Sequence, residues 1–167
     1  MGKRLRPFFR IASRTVEKPQ MYRIQTDGSF YQPLQISRTA VLAMTTPRIE
    51  CVNGYFEHKN ATESEWASVL DGLKLSCALE LPGIELENDN LGIMNTLISK
   101  EKRTWKNQEY AKYCYDEIQR LANQLDWVEV RWIPREANEA DLLIREQVYM
   151  TKSKNIRITT TEPSNLH

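Results

Sequence analysis

Four acids carry the chemical information in this sequence. Asp27, Glu65, Asp89 and Asp141 each stand near the start or end of a segment with regular periodicity. Carboxylates are hard oxygen donors of the kind that Mg²⁺ and Mn²⁺ prefer, and rigid elements can hold them with little reorganisation. Gathered in one pocket without a cation, they would repel each other strongly. Each acid also has a purely structural explanation. Asp27-Gly28 is a common hairpin-turn pair, and Thr62 with Glu65 has capping-box spacing. Asp89 with Asn90 can cap a short helix, and Asp141 follows Asn138 by three residues, where a carboxylate favours the positive end of a helix. For each acid taken singly, spacing leaves both readings open.

Periodicity supplies the elements that would have to position them. Tyr22, Ile24 and Thr26 alternate with Arg23, Gln25 and Asp27, which predicts a strand from Met21; Thr39–Met44 and Ile49–Phe56 predict two more. The Thr45-Thr46-Pro47 turn signal between them implies an antiparallel meander. Trp66, Val69, Leu70, Leu73 and Cys77 then recur at helical spacing until Pro82-Gly83. A short strand at Ile84–Glu87, a short helix at Leu91–Ser99, a longer helix at Asn107–Leu125, a strand at Val128–Trp132 and a helix at Glu139–Tyr149 complete the order βββαβααβα. Short turns join antiparallel strands and helical crossovers join parallel ones. The expected architecture is therefore α/β, a five-stranded mixed sheet of three antiparallel strands followed by two parallel ones, with helices on both faces.

With 167 residues, 41% of them hydrophobic, the chain can build one compact core. We expect a basic, flexible N-terminal extension over residues 1–20, the regular domain over 21–150 and a polar C-terminal tail over 151–167. The extension holds Lys3, Arg4, Arg6, Arg10, Arg14 and Lys18 against Glu17 alone, so it reads either as a nucleic-acid arm or as a targeting segment. The net charge is only +1, which leaves the middle of the chain acidic, a surface that would repel phosphates unless cations bind there. No apolar run approaches membrane-spanning length. Cys51, Cys77 and Cys114 lack the spacing of a zinc site or a disulfide framework, which points to a cytoplasmic or other intracellular compartment.

The segments around the four acids resemble the motifs of one family. Thr26-Asp27-Gly28-Ser29 looks like the opening motif of ribonuclease H type 1, and Ala61-Thr62-Glu63-Ser64-Glu65-Trp66 is similar to the helix that carries the family's catalytic glutamate. Glu87-Asn88-Asp89-Asn90 resembles the segment with its second aspartate, and Arg135-Glu136-Ala137-Asn138-Glu139-Ala140-Asp141-Leu142 the segment with its last, in the form seen in the bacterial, archaeal and plant branch. The likeness runs from Met21 to Tyr149. It implies a ribonuclease H-like fold and hydrolysis of the RNA strand of RNA–DNA hybrids with two Mg²⁺ ions, or Mn²⁺ in their place, leaving 5′-phosphate and 3′-hydroxyl ends. By the same resemblance Asp27 bridges both ions, Glu65 and Asp89 hold the one on the leaving-group side, and Asp141 holds the one that activates water.

The resemblance also marks substrate contacts. Asn60 and Thr62, just before the glutamate, are candidates for sugar or phosphate contact, although they suit a loop and cap equally. Lys100, Lys102, Arg103, Trp105 and Lys106 form a basic stretch with an aromatic where some relatives carry a substrate-binding protrusion; a solvated connection is the alternative. Two features depart from the family. The spacing from Asn138 to Asp141 is one residue shorter than is usual, making Glu139 a rival fourth ligand. The preceding loop, Ile133-Pro134-Arg135-Glu136-Ala137, lacks the family's histidine, which leaves Arg135 as a phosphate contact and implies slow turnover. The expected partner is an RNA–DNA hybrid bound by a monomer, away from any membrane. A non-catalytic nucleic-acid-binding module of the same fold, or a related nuclease acting on DNA, is the competing reading.

Overall fold

The computed structural model describes residues 7–10, 17–99 and 101–153. In chain order the strands are β1 (Pro7–Arg10), β2 (Met21–Tyr31), β3 (Ile36–Ala43), β4 (Ile49–Tyr55), β5 (Gly83–Asn88) and β6 (Trp127–Trp132). The helices are α1 (Ala61–Ala78), α2 (Leu91–Ile98), α3 (Glu109–Ala122) and α4 (Glu139–Ser153). One sheet runs in the order β1-β6-β5-β2-β3-β4. β2, β3 and β4 form the antiparallel meander, while β2 with β5 and β5 with β6 pair in parallel.

The five expected strands are present in the expected mixed arrangement, and the sheet gains a sixth. β1 pairs antiparallel with the edge strand β6, aligning Phe9 with Val128 and Arg10 with Trp127. Part of the stretch read as a flexible extension is therefore strand. At the other end α4 continues to Ser153, past the point where the tail was expected to begin. The remaining basic residues of the N-terminal stretch, apart from Arg10 and Lys18, the tail beyond Ser153, and Lys100 lie outside the described residues.

Helices cover both faces, as alternation along the strands shows. Val41 and Cys51 pack with Trp66, Val69, Leu70 and Leu73 of α1 in the main core, which also takes in α2 and α3. Their sequence neighbours Ala40 and Val52 pack instead with Ala140 and Ile144 of α4. Adjacent strand residues point to opposite faces, so α1 and α4 lie on opposite sides of β3 and β4. The α1 side is the larger apolar core. Burying a side chain such as Leu73 or Ile84 there contributes roughly 1.5–3 kcal/mol.

Two details place α1 closely on the sheet. A Cβ on Gly28 would lie 2.4 Å from the Ser64 carbonyl oxygen, so only glycine lets the first turn of the helix come this near to β2. The Ser64 hydroxyl then donates to the carbonyl of Ser29 at 2.8 Å and stands 3.0 Å from that of Arg38, tying the same turn across two strands.

Candidate active site

The capping residues decide what the acids are free to do. The N-cap of α1 is Asn60, whose Oδ1 accepts from the Glu63 N–H at 3.0 Å, while Glu63 reaches back to the Lys59 N–H at 3.4 Å. The cap lies two residues before Thr62, so the Thr62–Glu65 capping box does not form and Glu65 is released from that role. At α2 the cap is Asn90, which accepts from the Ile93 N–H at 3.0 Å; Asp89 is likewise released. Asp27 is not in a turn, because β2 runs on to Tyr31. The local explanations fail for these three, and only Asp141 keeps part of its own: it stands in the first turn of α4, where its N–H donates to the Asn138 carbonyl at 3.2 Å.

The released acids converge. Oxygens of Asp27, Glu65 and Asp89 lie within 4.8 Å of one another, a spacing that could hold a metal ion. Asp141 adjoins them closely enough that its charge and side chain both act on the Asp27 carboxyl. Burial comes first and the charges of Glu65, Asp89 and Asp141 second in pushing the Asp27 carboxyl up to about 9. Burial, with Asp89 and Asp141 adding, carries Glu65 up to about 8 against the lowering effect of its hydrogen bond with the Gly28 backbone. Asp89 is raised by burial while Asn138 opposes the rise. Glu65 Oε2 is buried with no hydrogen-bond partner. A buried carboxylate oxygen with nothing to accept from, beside two other crowded carboxylates, is the donor set a divalent cation satisfies.

Amides that the sequence reading did not single out hold the acids in register. Asn88 Nδ2 donates to the carbonyl oxygen and to Oγ1 of Thr26, both at 2.9 Å. Asn138 Nδ2 donates to the same carbonyl at 3.0 Å and lies 3.4 Å from Asp89 Oδ2. Gln25 accepts from the Glu139 N–H at 2.9 Å, fixing the start of α4 to β2. Asn88 and Asn138 were visible as neighbours of the acids; their burial, and the bonds that follow from it, were not.

The remaining expected residues separate. Of the two rivals for fourth ligand, Asp141 is buried at the cluster, whereas Glu139 faces Arg48 on the surface at 3.4 Å. Arg135 sits in a 3-10 turn with its Nε 3.5 Å from Asp141 Oδ2. Thr62 is exposed at the start of α1, and Asn60 has its side-chain oxygen occupied by the cap. Trp105 does not present a free stacking face. Partly buried against the main core, it packs edge-on to Trp66 and against Tyr115, and Arg103 covers its ring at 4.7 Å. Arg103 also bonds to Thr96 and Gln108, so of the expected cations in this stretch Lys102 and Lys106 are free of a partner among the described contacts.

The family model described as reverse transcriptase-like matches residues 25–144, most of the chain and all four acids. The chain belongs to that reverse transcriptase-like family. No curated protein sequence matches it significantly. Among solved structures, the fold of this reverse transcriptase-like chain is similar to RNase H1 from the archaeon Halobacterium salinarum, with a TM-score of 0.65 at 16% identity, covering 74% of this chain and 94% of that one. It is equally similar to the N-terminal RNase H domain of a Mycobacterium tuberculosis protein, with a TM-score of 0.65 at 17% identity, covering 81% and 99%. LC11-RNase H1, solved in complex with an RNA/DNA hybrid, gives a TM-score of 0.59 at 16% identity, covering 78% and 99%. The resemblance to ribonuclease H type 1 thus extends from the motifs to the fold.

Proposed function

We propose that this chain is an endoribonuclease that hydrolyses the RNA strand of RNA–DNA hybrids, leaving 5′-phosphate and 3′-hydroxyl ends. The observation that carries this reading is the convergence of Asp27, Glu65 and Asp89, with Asp141 close beside Asp27, from β2, α1, the end of β5 and α4 of a ribonuclease H-like fold. Asp27, Glu65 and Asp89 would hold one Mg²⁺ or Mn²⁺ ion, and Asp27 with Asp141 a second. Bound there, the ions supply Lewis-acid stabilisation to the attacking and leaving oxygens of an in-line displacement.

The chain's own residues prepare the site for that chemistry. Asn88 and Asn138 orient Asp27 and Asp89 through Thr26, so the carboxylates need little rearrangement when a cation arrives. The buried setting of Asp27 and Glu65 excludes bulk water from their oxygens, which strengthens any charge stabilisation made there. Arg135, largely exposed beside Asp141, would meet a phosphate group of the substrate. Preference for RNA over DNA at the cut strand would come from contacts with 2′-hydroxyls rather than base edges. The direct test offers matched RNA–DNA hybrid, duplex DNA and duplex RNA with Mg²⁺ or with chelator. Cleavage confined to the hybrid and dependent on Mg²⁺ supports the reading; cleavage of duplex DNA, or binding without cleavage, replaces it with one of the two competitors.

A further inference from the structure

Two arginines converge on one oxygen of the fourth carboxylate. Arg145, one helical turn beyond Asp141 on α4, places Nη2 2.8 Å from Asp141 Oδ2. Arg135, from the turn before the helix, brings Nε to 3.5 Å from that same oxygen. The Asp141 side chain is 7% exposed, whereas those of Arg135 and Arg145 are 70% and 58% exposed, so the guanidinium groups lie at the mouth and the carboxylate inside. The other three carboxylates differ in kind. Among the described residues, none of Asp27, Glu65 and Asp89 forms a salt bridge, and Glu65 Oε2 lacks any partner.

We propose that Arg135 and Arg145 form a guanidinium clamp on Asp141, leaving Asp27, Glu65 and Asp89 to take a first divalent cation readily and weakening the hold on a second. The inference rests on the metal-binding reading above. A cation arriving at Asp141 must displace a guanidinium from Oδ2 or sit beside two positive charges, and repulsion between unit charges a few ångströms apart remains appreciable near a protein surface. The first ion meets less of this cost: the Arg135 charge reaches Glu65 and Asp89, but neither guanidinium pairs with their oxygens. The clamp therefore makes the two halves of the site unequal and sets the divalent-ion concentration at which the second half fills. Arg145 is a positioning residue in this account, acting through Asp141.

The test counts Mn²⁺ ions bound to the full chain by electron paramagnetic resonance titration, without nucleic acid. The native chain should bind one ion tightly and a second more weakly. Replacing both arginines, Arg135→Gln with Arg145→Gln, should tighten the second ion by about tenfold, a modest value because both guanidinium groups are solvent-screened. Replacing both by Lys should retain the native inequality, and Arg120→Gln, which removes a surface charge on α3, should change nothing. Circular dichroism checks that the variants keep the fold. A second-ion affinity that is unchanged in the double Gln variant overturns the clamp, as does an equal gain in Arg120→Gln or binding of two equivalent ions by the native chain; in each of these the metal site itself stands. If the native chain binds no Mn²⁺ at all, the clamp and the metal-binding reading fall together.

Discussion

Asn88 and Thr26 are joined twice by one amide group: Asn88 Nδ2 donates to both the carbonyl oxygen and the hydroxyl oxygen of Thr26 at 2.9 Å. Each is the immediate neighbour of a candidate catalytic aspartate, Asp89 and Asp27 respectively. β2 and β5 already pair in parallel from Met21–Gly83 to Gln25–Glu87, and the amide continues their attachment beyond the last ladder pair, where the acids begin. Asn138 adds a third segment at the same Thr26 carbonyl.

Removing that amide should cost both stability and alignment. Asn88→Ala deletes two buried hydrogen bonds to Thr26 and a third that Asn88 Oδ1 accepts from the Asn90 N–H, although the Thr26 carbonyl keeps Asn138 as a donor. We expect a loss of about 1–3 kcal/mol in urea unfolding. Hybrid cleavage should fall further than that loss of folded population explains, because Asp89 is no longer tied to Asp27. Unaltered cleavage by the folded fraction would show that the amide does not position the acids.

The metal-free protein should lose stability as pH rises. Asp27 is raised to about 9 and Glu65 to about 8, so above an unfolded value near 4 the folded state holds protons that the unfolded state has released. Stability associated with these groups is full at pH 4, declines through neutrality and is lost by pH 9. Mg²⁺ favours the ionised forms and should therefore raise the melting temperature more at pH 8 than at pH 6. Asp27→Asn, which removes one of the crowded charges, should make the metal-free protein more stable at pH 8 and abolish most of its response to Mg²⁺. Thermal melts at the two pH values, with and without Mg²⁺, measure both effects.

Gly28→Ala should act on Glu65 from a distance. The added Cβ would meet the backbone of Ser64 at 2.4 Å and that of Glu65 at 2.7 Å, and helix backbone has little freedom to give. We expect the first turn of α1 to move, with a destabilisation of about 1–3 kcal/mol and loss of cleavage at saturating hybrid. A crystal structure of the variant with Glu65 in its original place would contradict this.

Trp105 and Lys102 should separate core from surface in the basic connection. Trp105→Ala removes contacts with Trp66 and Tyr115 and should cost roughly 2–4 kcal/mol in stability, since the ring is only partly buried. Lys102→Ala should leave stability unchanged while weakening hybrid binding and reducing its salt dependence by about one phosphate contact. Hybrid affinity at several salt concentrations, set beside urea unfolding of each variant, distinguishes the two.

Particular residues show why some of this was legible in the sequence. Alternation in β2 and helical spacing in α1 are local signals, and they placed Asp27, Asp89 and Asp141 at or beside the correct elements. β1 has only four residues and is defined by pairing with β6, a partner far along the chain that local periodicity cannot reveal. Trp105 stands in a charged run, so its burial depends on Trp66 and Tyr115 arriving from other helices. Glu65 could not be separated from a capping role until the cap was seen at Asn60. Arg145 carried no motif, and its place on Asp141 emerges only once α4 is formed beside the site.

The central claim is that the converging carboxylates cut the RNA strand, and single-turnover cleavage of a labelled RNA–DNA hybrid in Mg²⁺ tests it most directly. The native chain should release RNA fragments with 5′-phosphate and 3′-hydroxyl ends, and folded Asp27→Asn should cut slower by on the order of a thousandfold or more, as expected when the carboxylate shared by both ions is lost. Equal rates for the two proteins, or no cleavage by the native chain while it binds Mg²⁺ and hybrid, would contradict the account.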